Sequence, residues 1–429
     1  MKKFVLFCCT VVALQGLFGC SSGQTKDGYG WLKNAIDTSV KQLEETVADV
    51  GDSILLPRSI WTGYDMDFLC SQLQRDPSTF KDSLRVKPVK EALGTRRYCA
   101  SIYDWTSGFF PGSLWYAYLL TNNEELKTDA VKYTNYLYPV REYKGTHDIG
   151  FMMNCSFGNA YRISPSDSVR QALIQTADNL CGRFDSNIGC IRSWDFGKWN
   201  FPVIIDNMMN LDLLFYVSHL TNDSKYKEIA LRHAEKTLKN HFRDDQSSYH
   251  VVSYNNDGTV ELKCTHQGKN DDSSWARGQA WAVYGYTSCY RESRDTVFLK
   301  QAENIAALIM TRVKTNDDIP LWDYDAPDRP DTPRDASAAS ITASALIELG
   351  TLAKDGQIYL DYAEKLLKSL SSDAYLAKTG TNQGFILMHS TGSLPNGSEI
   401  DTPLNYADYY YLEALYRYMQ VKGLTYKSF

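Results

Sequence analysis

The sequence predicts an all-α chain closed into an (α/α)6 barrel, with six inner and six outer helices in one large domain. Three observations predict it. A helix, break, helix pattern recurs along the chain; the two helices of each repeat differ in character; and long polar segments lead into several of the first helices. The first helices begin near Gly108 (FFPGSLWYAYLL), Gly150 (FMMNCSFGNAYR), Asn207 (MMNLDLLFYVSHL), Gly278 (QAWAVYGYTSCYR), Ser337 (ASAASITASALIELG) and Asp408 (YYYLEALYRYM). They are apolar nearly all round and rich in Gly, Ala and Ser, as expected of helices packed on every side. Their partners, such as YKEIALRHAEKTL, FLKQAENIAALIM and YLDYAEKLLKSL, carry apolar residues at i, i+3 and i+4 with charges opposite, as expected of an outer layer. An open helical solenoid is the alternative. The repeat count and the long segments 193–202 and 249–274, which can build a cleft at one rim, favour closure.

The N-terminus predicts export. Lys2 and Lys3 precede an apolar run, residues 4–18, that stops at Gly19-Cys20 and is followed by Ser21-Ser22-Gly23. A spanning helix needs roughly 20 apolar residues, so this shorter run reads as a cleaved signal peptide. Leu17-Phe18-Gly19-Cys20 resembles the lipobox of bacterial lipoproteins, with Cys20 as the lipidated N-terminus; an ordinary signal peptide with an incidental cysteine is the alternative. The expected organisation is signal peptide 1–19, lipidated N-terminus and lead-in 20–50, and one barrel domain 51–429, held in the periplasm or at the outer membrane by the lipid alone.

Net charge of −6 argues against nucleic acid as a partner and gives no general attraction for an acidic sugar, so any anionic substrate must be held by local cations. The cysteines after Cys20 (Cys70, Cys99, Cys155, Cys181, Cys190, Cys264, Cys289) are odd in number and lack metal-type spacing, which suggests mostly buried thiols. Neither the His residues nor the carboxylates show metal-site spacing, so no metal or cofactor is expected, and the chain is expected to act as a monomer. The 9 Trp and 29 Tyr exceed ordinary usage. Sugar-binding clefts use such rings, although a large core also absorbs many of them.

Chemistry is expected where an apolar inner helix opens with a carboxylate at the barrel rim. Asp148 in His147-Asp148-Ile149-Gly150-Phe151 and Asp206 in Ile205-Asp206-Asn207-Met208-Met209 stand at equivalent points of successive repeats. Each alone reads as a helix N-cap. Together, beside apolar sequence, they read as a carboxylate pair in which one proton affinity is raised while the partner stays ionised, as glycosidic cleavage requires. Arg277 is the candidate binding cation, unless it merely pairs with Asp271 or Asp272. Gln267 is a candidate reader of hydroxyls, and Trp105, Trp194 and Trp281 are candidate stacking faces, though any one Trp among nine is more often core than platform.

These motifs, in register, resemble the unsaturated glucuronyl hydrolases of glycoside hydrolase family 88. The resemblance runs through DWTSGFFPG at 104–112, HDIGF at 147–151, IDNMM at 205–209, HQG at 266–268, SWARGQAW at 274–281 and YADYY at 406–410. Unsaturated rhamnogalacturonyl hydrolases share the architecture but fit the HDIGF and HQG pairings less well. The resemblance implies release of a 4,5-unsaturated uronic acid from the non-reducing end of an oligosaccharide by protonation and hydration of its vinyl ether. It implies Asp206 as general acid/base, Asp148 as the second carboxylate, and His250 as an assistant near the water. His147 and Tyr409, inside the matching motifs, join the substrate-binding set. Relatives that handle sulfated substrates carry Ser-x-x-Ser-x-Lys before the last inner helix; here Ser393, Asn396 and Ser398 fill those places and the lysine is missing, which implies no preference for sulfate on the adjoining sugar. A non-catalytic glycan-binding lipoprotein and an inverting glycosidase for saturated chains are the rival readings.

Overall fold

A computed structural model describes residues 26–51, 53–60, 66–74 and 97–429, so the leader and Cys20 lie outside the described residues. Helix α1 (Gly30–Val50) comes first, then strand β1 (Leu56–Ile60), α2 (Met66–Leu73) and β2 (Arg97–Ala100), with β1 and β2 paired antiparallel. The repeats follow. Inner α3 (Phe109–Thr121) precedes outer α4 (Glu124–Tyr136). The next inner helix is α5 (Ile149–Met153), which passes through a π-helical turn, Asn154–Gly158, into α6 (Asn159–Ile163), and its outer partner is α7 (Asp167–Cys181). Inner α8 (Asn207–Thr221), α10 (Ala276–Ser293) and α12 (Ala336–Leu352) alternate with outer α9 (Ser224–Asn240), α11 (Thr296–Arg312) and α13 (Gln357–Leu370), and α14 (Asn405–Lys422) is the last inner helix.

The ring closes, because α14 packs on α3 as well as on α12. An open solenoid would leave those two faces apart. Inner helices are buried almost all round, as in α10, where every residue from Ala276 to Cys289 is buried. Outer α9 buries only a stripe of Tyr226, Ala230, His233, Ala234 and Thr237. Each fully buried Leu, Ile or Phe of this double layer contributes about 1.5–3 kcal/mol by leaving water. Small residues set the inner spacing. A Cβ on Gly150 would lie 2.5 Å from Asn210 Oδ1, so α5 could not approach α8 with any other residue there.

Two features differ from the sequence reading. The barrel was expected to begin at residue 51, with 20–50 as a lead-in, yet α1 packs on α3 and α14 and buries Leu32, Ala35, Ile36 and Leu43 in the main core. It is the sixth outer helix, beside α4, α7, α9, α11 and α13. Its inner partner stands at the other end of the chain, so no local repeat betrays it. The rim segments are also not plain loops. A short hairpin of β3 (Phe184–Asp185) and β4 (Cys190–Ile191) leads into the first, and the two segments contribute to an antiparallel sheet of β5 (Pro202–Ile204), β6 (Val251–Tyr254) and β7 (Val260–Cys264) in the order β5-β6-β7. That sheet matters for the site, since it brings the start of α8 beside residue 250.

Candidate active site

A cavity of about 480 Å³ opens at the rim where the long segments enter the inner helices. Trp105, Asp148, Trp194, Asp206, Gln267, Arg277, Ser393, Asn396 and Ser398, all singled out from the sequence, line it.

Asp206 and Asp148 each stand at the N-cap position of their helices, α8 and α5, and neither side chain makes a capping hydrogen bond. Asp223, Asp295 and Asp335 do cap their helices, so the two rim carboxylates are excused from the usual duty of aspartate at that place. Burial drives the Asp206 carboxyl up to about 7 from an ordinary 3.8; the Arg277 charge opposes this and the Asp148 charge adds to it. Its Oδ2 has no hydrogen-bond partner. The carboxyl is therefore close to half-protonated near neutrality, with one oxygen uncommitted.

Each carboxylate has a buried histidine behind it. His250 Nδ1 accepts backbone N–H bonds from His266 (3.0 Å) and Gln267 (3.2 Å), which leaves the ring hydrogen on Nε2, 3.6 Å from Asp206 Oδ2. Burial holds His250 well below the usual imidazole range, with His266 and Arg277 pushing the same way, so it is neutral. The β5-β6 pairing sets this contact, because Ile205 donates its N–H to the His250 carbonyl at 3.0 Å. His147 Nε2 lies 3.2 Å from Asp148 Oδ1, while Asn210 donates to His147 Nδ1 at 3.3 Å. Asn210 cannot flip, since its Oδ1 accepts from Phe151 N at 2.8 Å. Burial lowers the His147 pKa although the Asp148 charge opposes it. Thr146 donates to Asp148 Oδ2 at 3.0 Å. Neither histidine lines the cavity; each stands behind its carboxylate.

Arg277 is almost fully buried and does not pair with Asp271 or Asp272. It donates to Asp335 Oδ2 at 2.8 Å, to the Thr391 carbonyl at 2.6 Å and to the Gly392 carbonyl. Gln267 donates to the same Gly392 carbonyl at 3.2 Å. Both thus fasten the hairpin of Ser393 and Ser398, whose backbones exchange hydrogen bonds at 2.9 and 3.0 Å. Asn396 adds a 2.7 Å bond to Ser393 Oγ. Among the described residues, no group of three or more His, Cys, Asp or Glu converges as a metal site would require.

With this geometry, comparison with known proteins is informative. Residues 90–423 match the model of Glycosyl Hydrolase Family 88. The chain belongs to that family. Residues 1–75 match a second model, described only as a domain of unknown function. The unsaturated glucuronyl hydrolase of Formosa agariphila is 47% identical over 319 residues, covering 73% of this chain and 80% of the relative. The unsaturated chondroitin disaccharide hydrolase of Streptococcus pneumoniae is 34% identical over 366 residues, covering 83% and 91%. A crystal structure of an unsaturated glucuronyl hydrolase specific for heparin superimposes with a TM-score of 0.83 at 46% identity, over 92% of this chain and 99% of that one. The enzyme from Bacillus sp. GL1, described as responsible for glycosaminoglycan degradation, gives 0.77 at 27% identity, over 92% and 98%.

Besides His147 and His250, two further expected contacts, Trp281 and Tyr409, are absent from the cavity of this family 88 hydrolase. Trp281 is fully buried, packed on Phe151 (5.2 Å between centroids) and Tyr410 (5.5 Å), so it is core and no stacking face. Its indole still favours the ionised form of Asp206 from behind. Tyr409 points to a different cavity, where its hydroxyl accepts from Asn159 Nδ2 at 3.2 Å. One helical step separates the two faces of α14, and the motif alone does not say which residue faces the rim. Sequence reasoning also missed lining residues, among them Tyr103, Asp104, Tyr143, Phe196 and His266. Phe196 is stacked on Trp194 at 5.0 Å and is 58% exposed, an apolar platform at the mouth. The run Trp194-Asp195-Phe196 could have signalled it, because two aromatics at i, i+2 in a polar loop share one side of an extended chain.

Proposed function

We propose that this family 88 hydrolase removes a 4,5-unsaturated uronic acid from the non-reducing end of lyase-generated oligosaccharides of glycosaminoglycan type, with Asp206 as its general acid/base. The observation that carries the reading is the buried Asp206 carboxyl, near neutrality in proton affinity, lining one cavity together with Asp148. Asp206 gives its proton to C4 of the vinyl ether, and the double-bond electrons form the new C4–H bond. The resulting positive charge at C5 is shared with the ring oxygen and stabilised by the Asp148 carboxylate. Water then bonds to C5 and returns a proton to Asp206, so the carboxyl is restored. The C5 hemiketal opens by breaking the bond to the ring oxygen, leaving a ketone at C5 and a hemiacetal at C1. Collapse of that hemiacetal releases the remaining oligosaccharide. Neutral His250, its Nε2 3.6 Å from Asp206 Oδ2, backs the acid/base from outside the cavity.

The test is a pair of substrates. A lyase-generated unsaturated disaccharide should lose its ultraviolet absorbance on incubation, and its saturated counterpart should remain uncleaved. Cleavage of both would indicate an inverting glycosidase, and binding without cleavage a glycan-capturing protein.

The adjoining sugar is expected to be unsulfated. Ser398 lines the cavity where sulfate-handling relatives are expected to have lysine, Arg277 is committed to Asp335, and Lys269 directs its ammonium to Gln74 Oε1 (2.6 Å) and the Asp325 carbonyl (2.8 Å). Loss of one charge-assisted hydrogen bond to sulfate corresponds to roughly 1.5–3 kcal/mol, or about 10- to 150-fold in kcat/KM. Matched sulfated and unsulfated disaccharides of heparin and chondroitin type measure it, and Ser398→Lys should narrow the gap. A clear preference for the sulfated member would refute this reading of the hairpin.

The anchoring proposal rests on the N-terminal residues alone. Cys20→Ala should shift the protein from the membrane fraction to the soluble one with catalysis unchanged, and unaltered membrane association would count against lipidation. We take the enzyme to act as an exported monomer, in the periplasm or at the outer membrane.

A further inference from the structure

We propose that Arg58 is a positioning residue for the hydrolysis, a three-way clamp through which the N-terminal segment fixes two cavity-lining loops. Arg58 lies on β1, outside the barrel repeats, and its side chain is only 16% exposed. Its Nε and Nη2 donate to the two oxygens of Glu399 at 2.7 and 2.9 Å, and its Nη1 donates to Asp104 Oδ2 at 2.6 Å. The planar fork suits such a bidentate arrangement, which a lysine ammonium cannot reproduce.

Both partners adjoin the site. Glu399 directly follows Ser398, and Asp104 lines the cavity and precedes Trp105. Asp104 divides its carboxylate: while Oδ2 takes Arg58, Oδ1 accepts from Thr106 N (2.9 Å) and Thr106 Oγ1 (2.7 Å), which shapes the turn that presents Trp105. Glu399 has φ +54°, a left-handed conformation that a non-glycine residue keeps only when its surroundings hold it. Its carbonyl accepts from Gly392 N at 2.6 Å, and the Gly392 carbonyl is the one that Arg277 and Gln267 hold. The Ser393–Ser398 hairpin is thus fastened from the barrel by Arg277 and from the N-terminal segment by Arg58. Strand β1 has other anchors, namely its pairing with β2, the Ser59 bridge to Leu404, and the Asn405 amide bond to the Pro57 carbonyl at 2.9 Å. The fork is therefore not what keeps the strand in place. Its single charge also offsets part of the negative charge of Asp104 and Glu399 beside a cavity that must admit an anionic sugar. The segment of unknown function gains two parts in this way, an outer helix and a hold on the site.

The proposal rests on this cavity being the place of hydrolysis, so Asp206→Asn is assayed alongside. With an unsulfated unsaturated glycosaminoglycan disaccharide, Arg58→Met should raise KM about ten-fold or more while kcat stays within about three-fold and the pH profile of kcat/KM keeps its shape. Arg58→Lys should recover only part of the loss. If Arg58→Met does not fold, Glu399→Gln, which removes one arm from the other side, should raise KM in the same sense. Wild-type KM in a folded Arg58→Met or Glu399→Gln protein, full recovery in Arg58→Lys, or an effect confined to melting temperature would overturn the clamp. A fully active Asp206→Asn would instead overturn the site.

Discussion

Asp206→Asn should lower kcat by about 10²- to 10⁴-fold and, at mildly alkaline pH, make the protein more stable than the wild type. Both effects come from one cause. The amide keeps the shape of the side chain but has no proton to give to C4 and cannot take one from water, so the chemical step loses its acid/base. The stability effect follows from the proton affinity. Asp206 binds its proton near pH 7 when folded and near 3.8 when unfolded. The buried neutral carboxyl therefore favours the native state fully below pH 3.8, and that benefit is lost as pH rises through 7. At pH 8 the native protein must hold a desolvated anion at a cost on the order of a few kcal/mol, by the rule of about 1.4 kcal/mol per unit. Asparagine removes the cost. Thermal unfolding at pH 8 and at pH 4 checks it: the variant should melt higher at pH 8 and show little difference at pH 4. Turnover near the wild-type rate would take Asp206 out of the mechanism.

The double ring was legible in the sequence because inner and outer helices have different burial patterns, and those patterns are local. Helix α10, buried throughout from Ala276 to Cys289, and helix α9, with its single buried stripe, could hardly be exchanged. Helix α1 was not legible as part of the barrel, since the face it buries meets α3 only beyond the intervening strands β1 and β2, and α14 from the far end of the chain. The carboxylates were legible for a related reason. An aspartate opening a fully apolar helix is at a rim, whichever way the ring turns, and Asp148 and Asp206 both line the cavity. Which side a residue inside a buried helix faces is a different matter, because an all-apolar helix carries no amphipathic signal to orient it. Tyr409 and Trp281 were misplaced for that reason. The commitments of Arg277 were hidden too, as Asp335 and the Thr391 and Gly392 carbonyls come from segments distant in sequence.

Asp148→Asn should lower kcat/KM by about 10²- to 10³-fold, the usual scale for removing a group aimed at developing charge, and should also move the pH profile of the remaining activity. The sign is fixed by the site. Asp206 must carry its proton to start the reaction, so wild-type kcat/KM should fall as pH rises past about 7. The Asp148 charge is one of the influences that raise the Asp206 pKa, against the Arg277 charge that lowers it. Removing the Asp148 charge leaves Arg277 less opposed, so the proton leaves Asp206 more easily and the alkaline limb should move to lower pH. An isosteric amide keeps an oxygen for His147 Nε2, now 3.2 Å from Asp148 Oδ1, so the shift reports charge and not collapse of the pocket. A limb that stayed at its wild-type position would show that the two groups do not sense each other, and one that moved to higher pH would contradict the assignment of Asp206 as the acid.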